Sequence, residues 1–116
     1  MIYPLITLPL PPSVNSLYEG GSKQKRFPSK RYKTWLAVCP RLPMHNLANV
    51  KLRYDFYMPD NRARDCANLE KAITDFLVKQ GVIIDDSWQY ILEMTLRAMG
   101  IDKKNPRVEI TIEDKK

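Results

Sequence analysis

The stretch VKLRYDFYMPDNRARDCANLEKAITDFLVKQG, residues 50–81, changes its hydrophobic period halfway along, and that change sets the fold class. In its first nine residues Val50, Leu52, Tyr54, Phe56 and Met58 alternate with Lys51, Arg53 and Asp55. A period of two is that of a half-buried strand. Pro59-Asp60 then turns the chain. From Cys66 to Gln80 the apolar residues fall instead at Leu69, Ile73, Phe76 and Leu77. Those i, i+4, i+7 and i+8 positions form one stripe of an amphipathic helix. Asp65 is placed to cap its start and Gly81 to end it.

Downstream, Val82-Ile83-Ile84 and Asp85-Asp86 lead into a second alternating run, Trp88, Tyr90, Leu92, Met94 and Leu96. Gly100 to Pro106 reads as a turn, and Val108, Ile110 and Ile112 as a last strand. Upstream, Leu5 to Leu8 reads as a short strand stopped by Pro9, Pro11 and Pro12. Residues 13–28 read as a loop. Ser29 to Val38 makes a short helix, capped by Ser29, with Tyr32, Trp35 and Leu36 inward and Pro40 ending it. The order strand, helix, strand, helix, strand, strand predicts an α+β two-layer domain, a mixed β-sheet carrying two helices. A chain of 116 residues, 44% apolar, has room for one such domain, spanning 1–116. Spacing assigns both Trp35 and Trp88 to the core, stacking on splayed bases being the other use of such rings.

Charge points to a polyanion. The net charge is +6, and no acidic residue lies between Glu19 and Asp55. That interval holds Lys23, Lys25, Arg26, Lys30, Arg31, Lys33, Arg41, Lys51 and Arg53, and a second cluster, Arg62 and Arg64, precedes Asp65. One-sided charge of this kind attracts phosphates with strong salt dependence; a solvated basic face is the alternative. The opening residues carry no basic leader, and no apolar run approaches a membrane span. Cys39 and Cys66 form no C-x-x-C pair, so neither a disulfide framework nor a zinc site is expected. The chain is expected in the cytoplasm, away from any membrane.

The polar side of the second helix carries Asn68, Lys71 and Asp75. Asn68 and Lys71 are about 4.5 Å apart along the axis, whereas Asp75 is about 10 Å beyond Asn68. Asp65, Asn68 and Lys71 can therefore serve one phosphate, and Asp75 is too far along to share a metal with Asp65. The same residues also read as an N-cap, an exposed polar position and a Lys71–Asp75 ion pair. Asp85-Asp86 is a second acidic point. Carboxylates from two elements beside a basic surface suit Mg²⁺-dependent phosphodiester chemistry, with a lysine to offset developing charge.

The chain resembles the RusA-type Holliday-junction resolvases of bacteria and their phages. The resemblance lies in Leu8-Pro9-Leu10-Pro11-Pro12-Ser13-Val14-Asn15-Ser16-Leu17-Tyr18, in Met58-Pro59-Asp60 with the arginines that follow, and in Arg64-Asp65-Cys66-Ala67-Asn68-Leu69-Glu70-Lys71. It continues through Asp75, Gly81 and Asp85-Asp86. It implies a homodimer that binds four-way DNA junctions and makes paired Mg²⁺-dependent cuts, with Mn²⁺ as a possible substitute. Asp65 and Asp86 map to its metal-site aspartates, with Asp85 able to join Asp86, and Lys71 maps to its essential lysine. Asn15, Lys23, Lys25, Arg26, Arg62, Arg64 and Asn68 are the expected DNA contacts. One position departs. The family pattern D-x-D-N has a second aspartate where this chain has Ala67, and the helical wheel makes Glu70 a poor substitute. A junction-binding protein that has lost catalysis is therefore the first alternative, and a structural protein with an incidental basic face the second. The strand at 88–96, with Ile91 opposite Trp88, Tyr90 and Leu92, is the expected dimer contact.

Overall fold

A computed structural model describes residues 1–20 and 26–114. The elements in order are β1 (Ile6–Pro9), a 3₁₀ turn (Val14–Ser16), β2 (Tyr18–Glu19), β3 (Phe27–Pro28), α1 (Lys30–Val38) and β4 (Val50–Met58). They continue with α2 (Cys66–Lys79), β5 (Ile91–Ile101) and β6 (Arg107–Asp114). β1, β6, β4 and β5 form one sheet in that order, with β4 parallel to β5 and β6 antiparallel to both β4 and β1. A parallel pair needs a crossover, and α2 supplies it.

The expected α+β layering holds. Val50, Leu52, Tyr54 and Phe56 of β4 and Val108, Ile110 and Ile112 of β6 are buried, as are Leu69, Ala72, Ile73, Phe76 and Leu77 of α2. α1 is capped by the Ser29 hydroxyl, which accepts from Tyr32 N–H. It packs through Trp35, whose ring meets Phe76 edge-on at 5.6 Å and whose Nε1 donates to the Pro9 carbonyl. Gly81 closes α2 with φ at 75°, where a Cβ would also meet Met44 Cγ at 2.6 Å. The Gly81 and Val82 N–H groups turn back onto the Val78 and Leu77 carbonyls, which satisfies the helix end. Leu47 then clamps the next segment, donating to Val82 and accepting from Ile84.

Four readings of the chain need correction. The strand placed at 88–96 begins at Ile91 and runs on through Gly100 to Ile101. Ser87 O accepts from both Tyr90 and Ile91 N–H, so residues 87–90 are a turn rather than extended chain. Trp88 consequently lies in solvent, not in the core. The loop placed at 13–28 contains a 3₁₀ turn and the short β2–β3 ribbon. β1 is shifted by one residue and takes in Pro9, which an edge strand tolerates.

On the face away from the helices Asp55 is nevertheless buried, because Arg97 reaches across from β5. Arg97 Nε and Nη2 donate to its two oxygens at 2.7 and 3.0 Å, and Arg53 Nε stands at 3.5 Å. The Arg97 hydrogen bonds hold the Asp55 carboxyl below its ordinary range. Its stabilising contribution is therefore present above the ordinary carboxylate pKa and lost as pH falls through the lowered folded value. Asp55→Asn should cost about 1–2 kcal/mol near pH 7 and flatten the acid limb of stability against pH. Urea midpoints at pH 7 and pH 3 check this, and an acid limb as steep as the wild type's would remove Asp55 as its source.

Candidate active site

α2 orients the site. Asp65 is its N-cap, and one carboxylate oxygen accepts from Ala67 N–H at 3.0 Å. The side chain is still exposed, so capping and ligand binding do not exclude each other here. Six residues further on, Lys71 is exposed, with Nζ 3.4 Å from Asp75 Oδ2. The ion pair expected from their spacing is therefore formed.

A cleft of about 350 Å³ lies between α2 and the start of β5. Glu70, Lys71, Thr74 and Asp75 line it from the helix, and Asp86, Trp88, Ile91 and Met94 from the following segment. On the other side of Asp75 and Asp86 a second hollow adds Asp85, Lys79, Tyr18 and Tyr32. Lys71 and Asp86, fifteen positions apart in sequence, thus share one cleft, with Asp85 beside it. Asp65 lines a different cleft, with Asn68, Arg62, Arg64 and Arg31, against Pro11, Pro12 and Ser13 of the opening motif.

Glu70 and Asp75, set aside from the sequence as partners for Asp65, both line the cleft of Lys71 and Asp86. Their helical position, not their distance from Asp65, is what matters, because Asp86 comes to them. Glu70 is fixed from below: the Tyr54 hydroxyl bonds Thr74 Oγ1 at 2.8 Å, and the Thr74 hydroxyl donates to Glu70 Oε2. This chain of hydroxyls runs from the centre of the sheet to the cleft wall. The cleft's donors are hard oxygens of the kind Mg²⁺ takes. Among the described residues, though, no three His, Cys, Asp or Glu side chains converge into a metal-holding group. The set fits an ion held by one or two carboxylates and completed by water and substrate phosphate, the usual habit of magnesium.

The expected DNA contacts divide. Arg62 is exposed, and Arg64 is half-buried with two bonds to Asp60, at 2.6 and 3.2 Å. Asp60 also accepts from Arg62 N–H, and the Arg64 guanidinium holds its carboxyl well below the usual range. Arg26 is exposed with its guanidinium 5.8 Å from the Tyr18 ring centroid. Asn15 is exposed on the 3₁₀ turn, and Asn68 on α2. Lys23 and Lys25 lie outside the described residues. Arg31 was legible only as one charge among many, yet it completes the arginine cleft. Cys39 and Cys66 are free, and burial pushes the Cys39 thiol up to about 12. No helix among the described residues is long and apolar enough to cross a membrane.

Residues 10–113 match the family described as Endodeoxyribonuclease RusA. The chain is 34% identical over 112 residues to the crossover junction endodeoxyribonuclease RusA of Escherichia coli, covering 92% of this chain and 91% of that protein. With the same coverage it is 33% identical to the proteins of that name from Enterobacteria phage 82 and from Shigella sonnei.

Proposed function

Since the chain belongs to the RusA family of endodeoxyribonucleases, we propose that it resolves four-way DNA junctions by paired, magnesium-dependent cuts as a homodimer. One observation carries the reading: the cleft that Lys71 and Asp86 share, on a chain matched to the family along nearly its whole length. Asp86, with Asp85 adjacent, would hold Mg²⁺ in that cleft, and Mn²⁺ would meet the same oxygens. Asp65, the other aspartate expected at the metal, lines the arginine cleft at the head of α2 and would be a ligand only to an ion held there. When bound, the ion supplies charge against a phosphate oxygen and a water of lowered pKa. Lys71 does the rest of the electrostatic work. Its ammonium, held near the cleft by Asp75, moves onto the phosphate oxygen where charge develops. Arg31, Arg62, Arg64 and Arg26, with Asn15, Asn68 and the basic run containing Lys23 and Lys25, track the backbone and set register without reading sequence.

Two symmetric cuts call for two copies about a two-fold axis. The edge strand β5, with Leu92, Met99 and Ile101 exposed, is the proposed contact. A DNA substrate of this kind places the enzyme with the chromosome, in the cytoplasm. The test is cleavage of a synthetic four-way junction with and without Mg²⁺, beside light scattering at micromolar protein. Paired nicks from a dimer support the reading, and a monomer that leaves the junction whole would sink it.

Ala67 supports a second reading, a junction-binding protein with impaired cutting. It is exposed in the first turn of α2, where negative charge is favoured by the helix dipole. A carboxylate placed there adds a donor on the side of Asp65. Ala67→Asp should lower the Mg²⁺ concentration for half-maximal cutting on the order of tenfold, or start cutting in a protein that has none. A Mg²⁺ titration unchanged by the substitution would show that position 67 does not face the ion.

A further inference from the structure

Trp88 is the largest apolar side chain that the fold leaves in water, at 77% exposed. It is not on a loose loop. Ser87 O accepts from both Tyr90 and Ile91 N–H at 3.0 Å, and Val50 N–H bonds Tyr90 O at 2.8 Å, so the turn beneath it is fixed to the start of the sheet. The indole stands two residues after Asp86 and lines the same cleft as Asp86 and Lys71. A lysine there can meet a phosphate, but a phosphate has no use for an indole. The component of DNA that does is the face of a base. In continuous duplex both faces of every base are covered by neighbours, and a face is offered only where stacking is interrupted.

We propose that Trp88 stacks on a nucleobase left unstacked beside the phosphate in the Lys71–Asp86 cleft, and so selects interrupted DNA over continuous duplex. The proposal rests on that cleft being the phosphate site. Trp88 also carries its own probe. The chain has two tryptophans, and the other, Trp35, is 5% exposed with its Nε1 bonded to Pro9 O. A change in indole emission on adding DNA therefore reports Trp88.

The experiment titrates the full chain with a synthetic four-way junction and with linear duplex of the same sequence, in calcium, with the DNA checked intact on a gel. Emission should be quenched by the junction and not by the duplex, and Trp88→Phe should lose the quench. Trp88→Ala should weaken junction binding about tenfold with duplex binding unchanged, and Trp88→Phe should recover most of the loss. Emission and affinity indifferent to Trp88 would overturn the proposal, as would equal losses on both DNAs. A blue shift that grows with protein concentration in the absence of DNA would also overturn it, because a second copy would then cover the indole. An Asp86→Asn protein that still cuts while Trp88 is quenched would fault the cleft reading and leave the stacking contact standing.

Discussion

Asp86→Asn should lower junction cutting by at least about 10³-fold while junction binding is kept or tightened. The amide keeps the shape of the side chain and removes its charge. Asp86 is exposed, and no hydrogen bond of its side chain appears among the described residues, so the fold does not depend on it. Binding survives because the arginine cleft is separate and because one source of repulsion against the phosphate is gone. Lys71→Ala, in the same cleft, should cost about 10²–10³-fold. Single-turnover cutting at saturating protein, beside gel-shift affinities, separates the two effects. Cutting by Asp86→Asn within a few-fold of wild type would mean that the metal sits elsewhere, and the arginine cleft with Asp65 would become the place to look.

The second large effect is on stability. Tyr54→Ala should cost about 4 kcal/mol, the scale for emptying a buried aromatic site. That is a large part of the roughly 5–15 kcal/mol that holds such a domain. Tyr54 is fully buried on the central strand, between Leu96 of β5 and Ile110 of β6 in register, with Phe56 edge-on at 6.4 Å. Its hydroxyl bonds Thr74. Tyr54→Phe should therefore cost only about 1 kcal/mol, since Thr74 keeps Glu70 as a partner. Urea midpoints for the two variants check the split, and equal losses would mean that the hydroxyl, not the ring, is what the core needs.

The period change within residues 50–81 was enough to place β4 and α2 at nearly their observed ends, because there the hydrophobic pattern, the caps and the turn residues agree. Agreement of that kind failed at Trp88. Trp88, Tyr90 and Leu92 alternate like a strand, but alternation does not reveal that Ser87 O will draw Tyr90 and Ile91 N–H into a turn. The far end of β5 was hidden for a related reason. Gly100 looks like a turn residue, yet at φ 117° it sits within the strand, where the register with β4 slips between Phe56 and Tyr57. The grouping of the candidate site was legible only along α2. Twenty-one positions separate Asp65 from Asp86, and such spacing carries no distance; only the folded chain shows Asp86 lining one cleft with Glu70 and Asp75 while Asp65 lines another. The turn at Pro59-Asp60 was legible, and the structure adds that Asp60 bonds the backbone two residues on, at Arg62 N–H.

The three carboxylates around Lys71 have a consequence for the order of events. Formal charges of −3 from Glu70, Asp75 and Asp86 against +1 from Lys71 leave the cleft at −2, a place that repels a bare phosphate. If this cleft is the cutting position, as proposed, strands drawn to the basic surface would be held off it until a cation neutralised the wall. Ion and strand would then favour each other's entry by the same factor, as thermodynamic reciprocity requires. The acidic wall would then act as a lock on the nuclease, released by the ion.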